Sequence, residues 1–321
     1  MEQALQIADK ANQMIKSSIM MRTLSDEQNK LIIKNSICEQ PLNSILILKE
    51  VIEKAESQYE SYYLLALAKH IVYSYSNLKF GPEVGISRKK VHDIDVIKIW
   101  LNQIKIMQDD LATYSEKSNI SSNIIEGDSR MIKRLNFPEK VNFIITSPPY
   151  PNEKDYSRTT RLESVLLGFI NSKEQLREVK KQFIRSNTKN VYKEDDDFKY
   201  VNGIKSITKL SNEIEDRRIE LKKTSGFEKL YSKVVKLYFG GMARHFCELK
   251  PILAKEAKLA YVVGDQASYF KIPIKTAELL GEVAESVGYE VEGIETFRKR
   301  YATATDTWLN EDVLILKYKG D

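Results

Sequence analysis

Cysteine is nearly absent from this chain of 321 residues: Cys38 and Cys247 lie far apart, outside any CxxC or Cys/His spacing. That excludes a disulfide framework and a zinc site, and both are read as packing residues. The three histidines, His70, His92 and His245, are isolated and show no metal-ligand spacing, so no metal is expected. No long uncharged apolar run occurs, which excludes a membrane-spanning helix. The opening "MEQALQIADK" has neither a basic n-region nor an apolar h-region, so no secretory signal is read and the cytoplasm is the expected compartment. Charge of one sign does not dominate: a net charge of +5 with a pI near 8.8 permits polyanion binding without specifying it.

The texture of the chain changes near residue 118. Residues 1–117 read as helical, since "SYYLLALAKHIVYSYSNLKF" and "DVIKIWLNQIKIMQDDLATYSEK" repeat apolar residues at helical spacing. "FGPEVGIS", residues 80–87, reads as glycine punctuation between two helices. From 118 onward come short β-type runs, "SNIIEGD", "VNFIITS", "KLAYVVGD", "YEVEGIETF" and "EDVLILKYK", alternating with helical stretches such as "GFEKLYSKVVKLYFGGMARHFCELKPILAKE" and "IPIKTAELLGEVAESVG". The alternation predicts an α/β fold with a largely parallel sheet covered by helices, the last two runs forming an antiparallel pair at one end. Residues 171–226, with a basic start and the acidic patch "EDDD", read as a charged insertion, most simply a solvated one, in which Lys180, Lys181 and Arg185 are candidates for DNA phosphate contact.

The stretch "VNFIITSPPY" carries the chemistry. A buried parallel strand ends at Thr146, and Ser147 falls just past its carboxyl end, where open α/β sheets place ligands. Pro148 and Pro149, the sole Pro-Pro pair among eight prolines, hold the backbone as a stiff loop. The exocyclic amine of a nucleobase is a poor nucleophile because its lone pair is delocalised into the ring. Acceptors on its N–H groups favour the attacking form, and Ser147 Oγ and the Pro148 carbonyl are placed to supply them. Tyr150 offers a stacking face for a base swung out of its helix.

"TSPPY" resembles the catalytic motif of the S-adenosylmethionine-dependent amino-methyltransferases of DNA, and the likeness extends over about 118–170 and 227–321. "IIEGDSRMIKRL" is similar to the strand and Gly-Asp turn preceding that motif. By the resemblance, Asp128 reaches the cofactor adenine, and Ser129 and Thr146 flank the cofactor. "PNEKDYSRTTRLESVLLGF" and "LKPILAKEAKLAYVVGD" resemble its later segments. The family implies S-adenosylmethionine as cofactor, DNA as substrate and methylation or restriction-modification as context. Separately from the resemblance, Arg298 and Arg300, near the "ATATDTW" turn, are further candidates for DNA phosphate contact, with a solvated surface as the default reading. Ser147 favours cytosine N4 over adenine N6 as the methylated position.

The family's Phe-x-Gly-x-Gly loop after a first strand is missing, and "FGPEVGIS" and "YFGG" have the wrong spacing. In the family's sheet the first two strands lie between the third and fourth, so their absence leaves a gap in the sheet's middle. The expected architecture is therefore a partial Rossmann-like sheet with a helical N-terminal region, completed by a second subunit carrying the glycine loop and both strands: a split enzyme, a heterodimer. Adenine-N6 methylation, RNA or protein-glutamine methylation, and a noncatalytic DNA-binding or scaffolding role are the alternatives.

Overall fold

The computed structural model describes residues 1–320 apart from Pro82, Glu153, Lys154 and Ala304. Those four fall in "FGPEVGIS", "PNEKDYSR" and "ATATDTW", whose expectations at these positions lie outside the described residues. Two compact units are formed. One comprises Met1–Asn123 and Tyr156–Val179, the other Ile124–Asp155 and the chain from Lys180 onward.

The first unit is helical: α1 (Glu2–Ser17), α2 (Asp26–Leu31), α3 (Glu39–Lys54), α4 (Glu60–Tyr73), α5 (Val96–Thr113), α6 (Tyr156–Thr159) and α7 (Arg161–Leu166). In α1, Ala4, Ile7, Ala8 and Ala11 recur at i, i+3, i+4 and i+7 and are buried, which gives one apolar face. Trp100 of α5 is fully buried, and its indole N–H donates to the Tyr63 carbonyl of α4 at 2.9 Å. "SYYLLALAKHIVYSYSNLKF" is helical only to Tyr73. Beyond it, β1 (Leu78–Lys79) pairs antiparallel with β2 (Gly85–Ile86), so a small ribbon replaces the expected glycine link between helices. Residues 156–170, grouped with the methyltransferase segment by resemblance, instead place Leu162, Val165, Leu166 and Ile170 in this unit's core.

The second unit is built on a sheet of order β3-β4-β6-β5, formed by β3 (Val141–Thr146), β4 (Leu253–Gly264), β5 (Tyr289–Ala302) and β6 (Thr307–Tyr318). Only β3 and β4 are parallel; β4–β6 and β6–β5 are antiparallel. The expectation of a largely parallel sheet is thus corrected to a mixed one, while the terminal antiparallel pair is as expected. "SNIIEGD" forms no strand: among the described residues nothing pairs with it, and Ile124 and Ile125 are exposed.

After α8 (Lys173–Lys181), the remaining helices are α9 (Lys205–Glu220), α10 (Tyr231–Leu249) and α11 (Thr276–Ser286). Tyr238, Phe239, Met242 and Phe246 of α10 bury against Leu259, Tyr261 and Leu314 of the sheet. The expected continuation of α10 through "KPILAKE" does not occur. Pro251 sits in a short 3-10 turn, and β4 begins at Leu253. Gly240 and Gly241, the "YFGG" glycines, lie within α10. A methyl group at Gly240 would overlap the Asp197 carbonyl, so this glycine serves close packing.

The two sheet edges differ. On β5, bulges between Val291 and Gly293 and between Thr296 and Arg298 interrupt the register, and Glu290, Glu292, Glu295, Arg298, Lys299 and Arg300 lie along it. The β3 strand carries no charged residue, and its free side is bare among the described residues; Phe143 and Ile145 are 52% and 72% exposed.

Candidate functional site

Because β3 and β4 are parallel, both end at the same side of the sheet, and the Ser147–Tyr150 loop sits there. Ser147 is exposed and Pro148, Pro149 and Tyr150 are half-buried. The Tyr150 ring lies on Gly264, the last residue of β4: a Cβ there would come within 2.8 Å of its Cε2. A side chain at position 264 would push the ring away, which is why glycine ends this strand. At the same strand end, β5 and β6 continue to pair beyond the last β4 partner, Gly264↔Glu311, as far as Ala302↔Thr307. This two-stranded arm carries Arg298, Arg300, Tyr301 and Trp308, all exposed.

Asp265 faces inward. Its carboxylate accepts from Lys275 Nζ at 2.6 Å and from the Thr276 backbone N–H at 3.2 Å, so it secures the start of α11. Asp128 and Ser129 are held by a buried network that sequence reasoning missed. Asp128 Oδ1 accepts from the Arg130 backbone N–H at 2.8 Å and from Nε at 3.1 Å, and Oδ2 accepts from Nη2 at 2.8 Å. Arg130 also reaches Asp197 at 2.9 Å and the Lys181 carbonyl at 2.7 Å, while Arg244 pairs with Asp197 at 3.1 Å. Burial works against the Arg130 charge, but Asp128 and Asp197 outweigh it and raise its pKa above the ordinary value. The acidic patch "EDDD" is therefore not simply solvated: Asp197 is buried between two arginines. The Asp-x-Arg spacing is a visible signal for the local pair, but the link to residue 197 has none.

Ser129 is fixed by His245. The Ser129 carbonyl can only accept, so His245 Nδ1–H donates to it at 2.9 Å, and Nε2 then accepts from the Tyr261 hydroxyl at 2.7 Å. Burial holds the imidazole below the ordinary histidine value, opposed by the bond to Ser129 and by Asp128. The unfolded chain therefore takes up the proton first. This contribution to stability is full above about pH 6.5 and falls as pH drops, by at most about 1.4 kcal/mol per unit, until the native pKa is reached. Urea midpoints should fall between about pH 7.5 and about pH 5.5, and His245→Gln should flatten that fall relative to the parent chain. An equal fall in both proteins would show that folding does not shift the His245 pKa.

The five basic residues proposed for DNA divide. Arg185 is buried, donating to Asp195 and to the carbonyls of Lys180, Lys181 and Phe183 and stacking over Tyr192. Lys180 pairs with Asp155 at 3.1 Å. Lys181 is exposed. Arg298 pairs with Glu311 at 2.6 Å yet stays mostly exposed, and Arg300 lies 3.9 Å from the same carboxylate, also exposed. Phosphate contact needs an accessible cation, which removes Arg185 in this conformation and leaves the arm as the more open basic surface. Among the described residues, no cluster of three or more metal-ligating side chains occurs and no helix is long and apolar enough to cross a membrane.

The Type II methyltransferases M.AvaI of Nostoc sp. and of Anabaena variabilis each share 28% identity with the chain over 156 residues, covering 47% of this chain and 31% of theirs. The chain is distantly related to a Type II methyltransferase. It spans about a third of the length of these curated relatives. No family model matches, and no solved structure matches.

The relationship implies S-adenosylmethionine, and the residues present fit it only in part. Among the described residues, none of the four strands of the main sheet leads into a glycine-rich turn. Gly127, beside Asp128, is itself crowded, because a Cβ there would meet Leu135 at 2.7 Å. The Asp128 carboxylate, implied as an adenine contact, is engaged by Arg130 through both oxygens. Among the described residues, no turn after a strand of the main sheet offers a backbone cradle for such a cofactor.

Proposed function

We propose that this chain is the catalytic-motif subunit of a split DNA amino-methyltransferase that acts on the exocyclic amine of a flipped base, cytosine N4 in preference to adenine N6. The observation that carries the reading is a mismatch in β3. "VNFIIT" has the continuous apolar character of a strand buried on both faces, yet Phe143 and Ile145 stand bare and, among the described residues, one edge is unpaired. A second polypeptide supplying strands beside β3 and a glycine loop removes both the exposed edge and the missing cradle. In the assembled site Ser147 Oγ and the Pro148 carbonyl accept from the exocyclic amine, Tyr150 stacks on the base, and Asp128, Ser129 and Thr146 line the cofactor side. The methyl group comes from S-adenosylmethionine.

Nucleoside analysis after incubation of the assembled subunits with labelled cofactor tests this. N4-methylcytosine in DNA is expected. N6-methyladenine would change the base, label in RNA or protein would change the substrate class, and no label on any substrate would return the chain to a noncatalytic DNA-binding or scaffolding role. Arg298→Gln with Arg300→Gln should weaken DNA binding across sequences and reduce the salt slope by roughly 0.9 for every phosphate that is no longer neutralised. An unchanged slope would free the arm from DNA contact and shift the proposal to Lys180 and Lys181.

A further inference from the structure

The two tryptophans of the chain stand in opposite surroundings. Trp100 is fully buried in the helical unit, whereas Trp308 is 63% exposed on the arm that β5 and β6 form beyond the end of β4. Tyr301 lies directly opposite Trp308 in the register, and the two rings meet edge to face, with centroids 5.3 Å apart and planes at 63°. In an edge-to-face pair neither ring lies flat on the other, so each keeps at least one face that its partner leaves open. The Tyr301 hydroxyl donates to the Asp306 carboxylate, which anchors its ring.

The ladder sorts the arm into two faces, because side chains alternate along a strand and directly opposite residues share a side. Tyr301 and Trp308 share theirs with Lys299 and Asn310. The other face carries Arg298 and Arg300 with Leu309 and Glu311, and the last two are buried, so the aromatic face is the open one. Arg298, Lys299 and Arg300 bring three positive charges to the arm, against Asp306 and the buried Glu311. The base of the arm is fastened to the candidate site. The Asn310 carbonyl accepts from the Asp265 N–H at 2.8 Å, one residue past the Gly264 on which Tyr150 lies. An exposed aromatic pair amid cations matches a nucleic-acid strand, whose bases stack on rings while its phosphates meet the charges.

We propose that Tyr301 and Trp308 form a stacking platform for unpaired bases of the DNA strand, next to the base that enters the Ser147–Tyr150 loop. Tyr150 takes the reacting base, and the arm holds neighbouring bases whose stack has been broken by the flip. The inference rests on the DNA reading above for the polymer, and its test needs no methyl transfer.

The full chain is titrated with oligothymidylate and, separately, with a strand of equal length made of abasic nucleotides. Trp100 is buried and Trp308 exposed, so a stacked base reads out as quenching of the Trp308 emission. Oligothymidylate is expected to quench as it binds, and the abasic strand to bind through charge without quenching. Trp308→Leu and Tyr301→Leu should each weaken oligothymidylate roughly five- to 150-fold, leave the abasic strand unchanged, and Trp308→Phe should recover most of the loss. Circular dichroism checks the fold of each variant, and the comparison of the two strands on the parent chain stands without any variant. The proposal is overturned if oligothymidylate binds without quenching, if the abasic strand quenches equally, if both leucine variants bind at the parent affinity, or if neither strand binds. Leucine variants that bind as the parent but no longer assemble with a second subunit would also overturn it and assign the pair to a protein interface. Each such result leaves the methylated base to be decided by nucleoside analysis, so the two readings fail separately.

Discussion

Purified alone, the chain is expected to bind S-adenosylmethionine weakly or not at all and to transfer no methyl group to DNA. Both activities are expected to appear on mixing with a second polypeptide that carries the glycine loop. The reason is geometric. In the proposed assembly the strand-end loop and the Asp128 turn would supply one wall, while the methionine part of the cofactor needs close backbone approach that no turn after a strand of the main sheet provides among the described residues. Assembly pairs the free side of β3 and covers Phe143 and Ile145, so the interface should be large and apolar, of the kind that buries about 2,000 Å2 or more in total. Calorimetric titration of the single chain with cofactor, beside a labelled-methyl assay, decides the matter. Tight binding and turnover by a monodisperse single chain would end the split-enzyme proposal.

Within the assembled enzyme, Ser147→Ala and Tyr150→Ala should each reduce turnover strongly. Ser147 is exposed at the strand end, and in the proposed mechanism its hydroxyl is the acceptor for the amine; its loss should cost roughly 1–3 kcal/mol in the rate-determining barrier, about five- to 150-fold. Removing the Tyr150 ring takes away a stacking face worth about 1–3 kcal/mol per base. Tyr150 also covers Gly264, so its variant needs a stability measurement alongside the rate. If both variants keep the fold and near-parental rates, the chemistry lies elsewhere.

Local pattern carries much of this fold. The strand at 141–146, the helices α10 and α11 and the final hairpin are legible because period and turn residues agree within each segment. What fails depends on distant partners. "SNIIEGD" has a strand's composition, but a strand exists only where another lies beside it. The insertion reads as solvated from its charge, yet Asp197 and Arg185 are buried because their counterions come from elsewhere in the chain or its turns. For the candidate site, position and residue type place Ser147–Tyr150 at a strand end. The Arg130 pair that occupies Asp128 and the Gly264 contact beneath Tyr150 required coordinates.

The inequality of the two sheet edges sets a valence. Bulges and charges along β5 discourage another strand from docking, whereas the uncharged side of β3 invites one. A sheet receptive on one side alone accepts a single neighbour and then terminates; it cannot propagate head to tail into a fibre. Growth by strand addition therefore stops at the pair, and any chain left without a neighbour keeps β3 as a sticky edge.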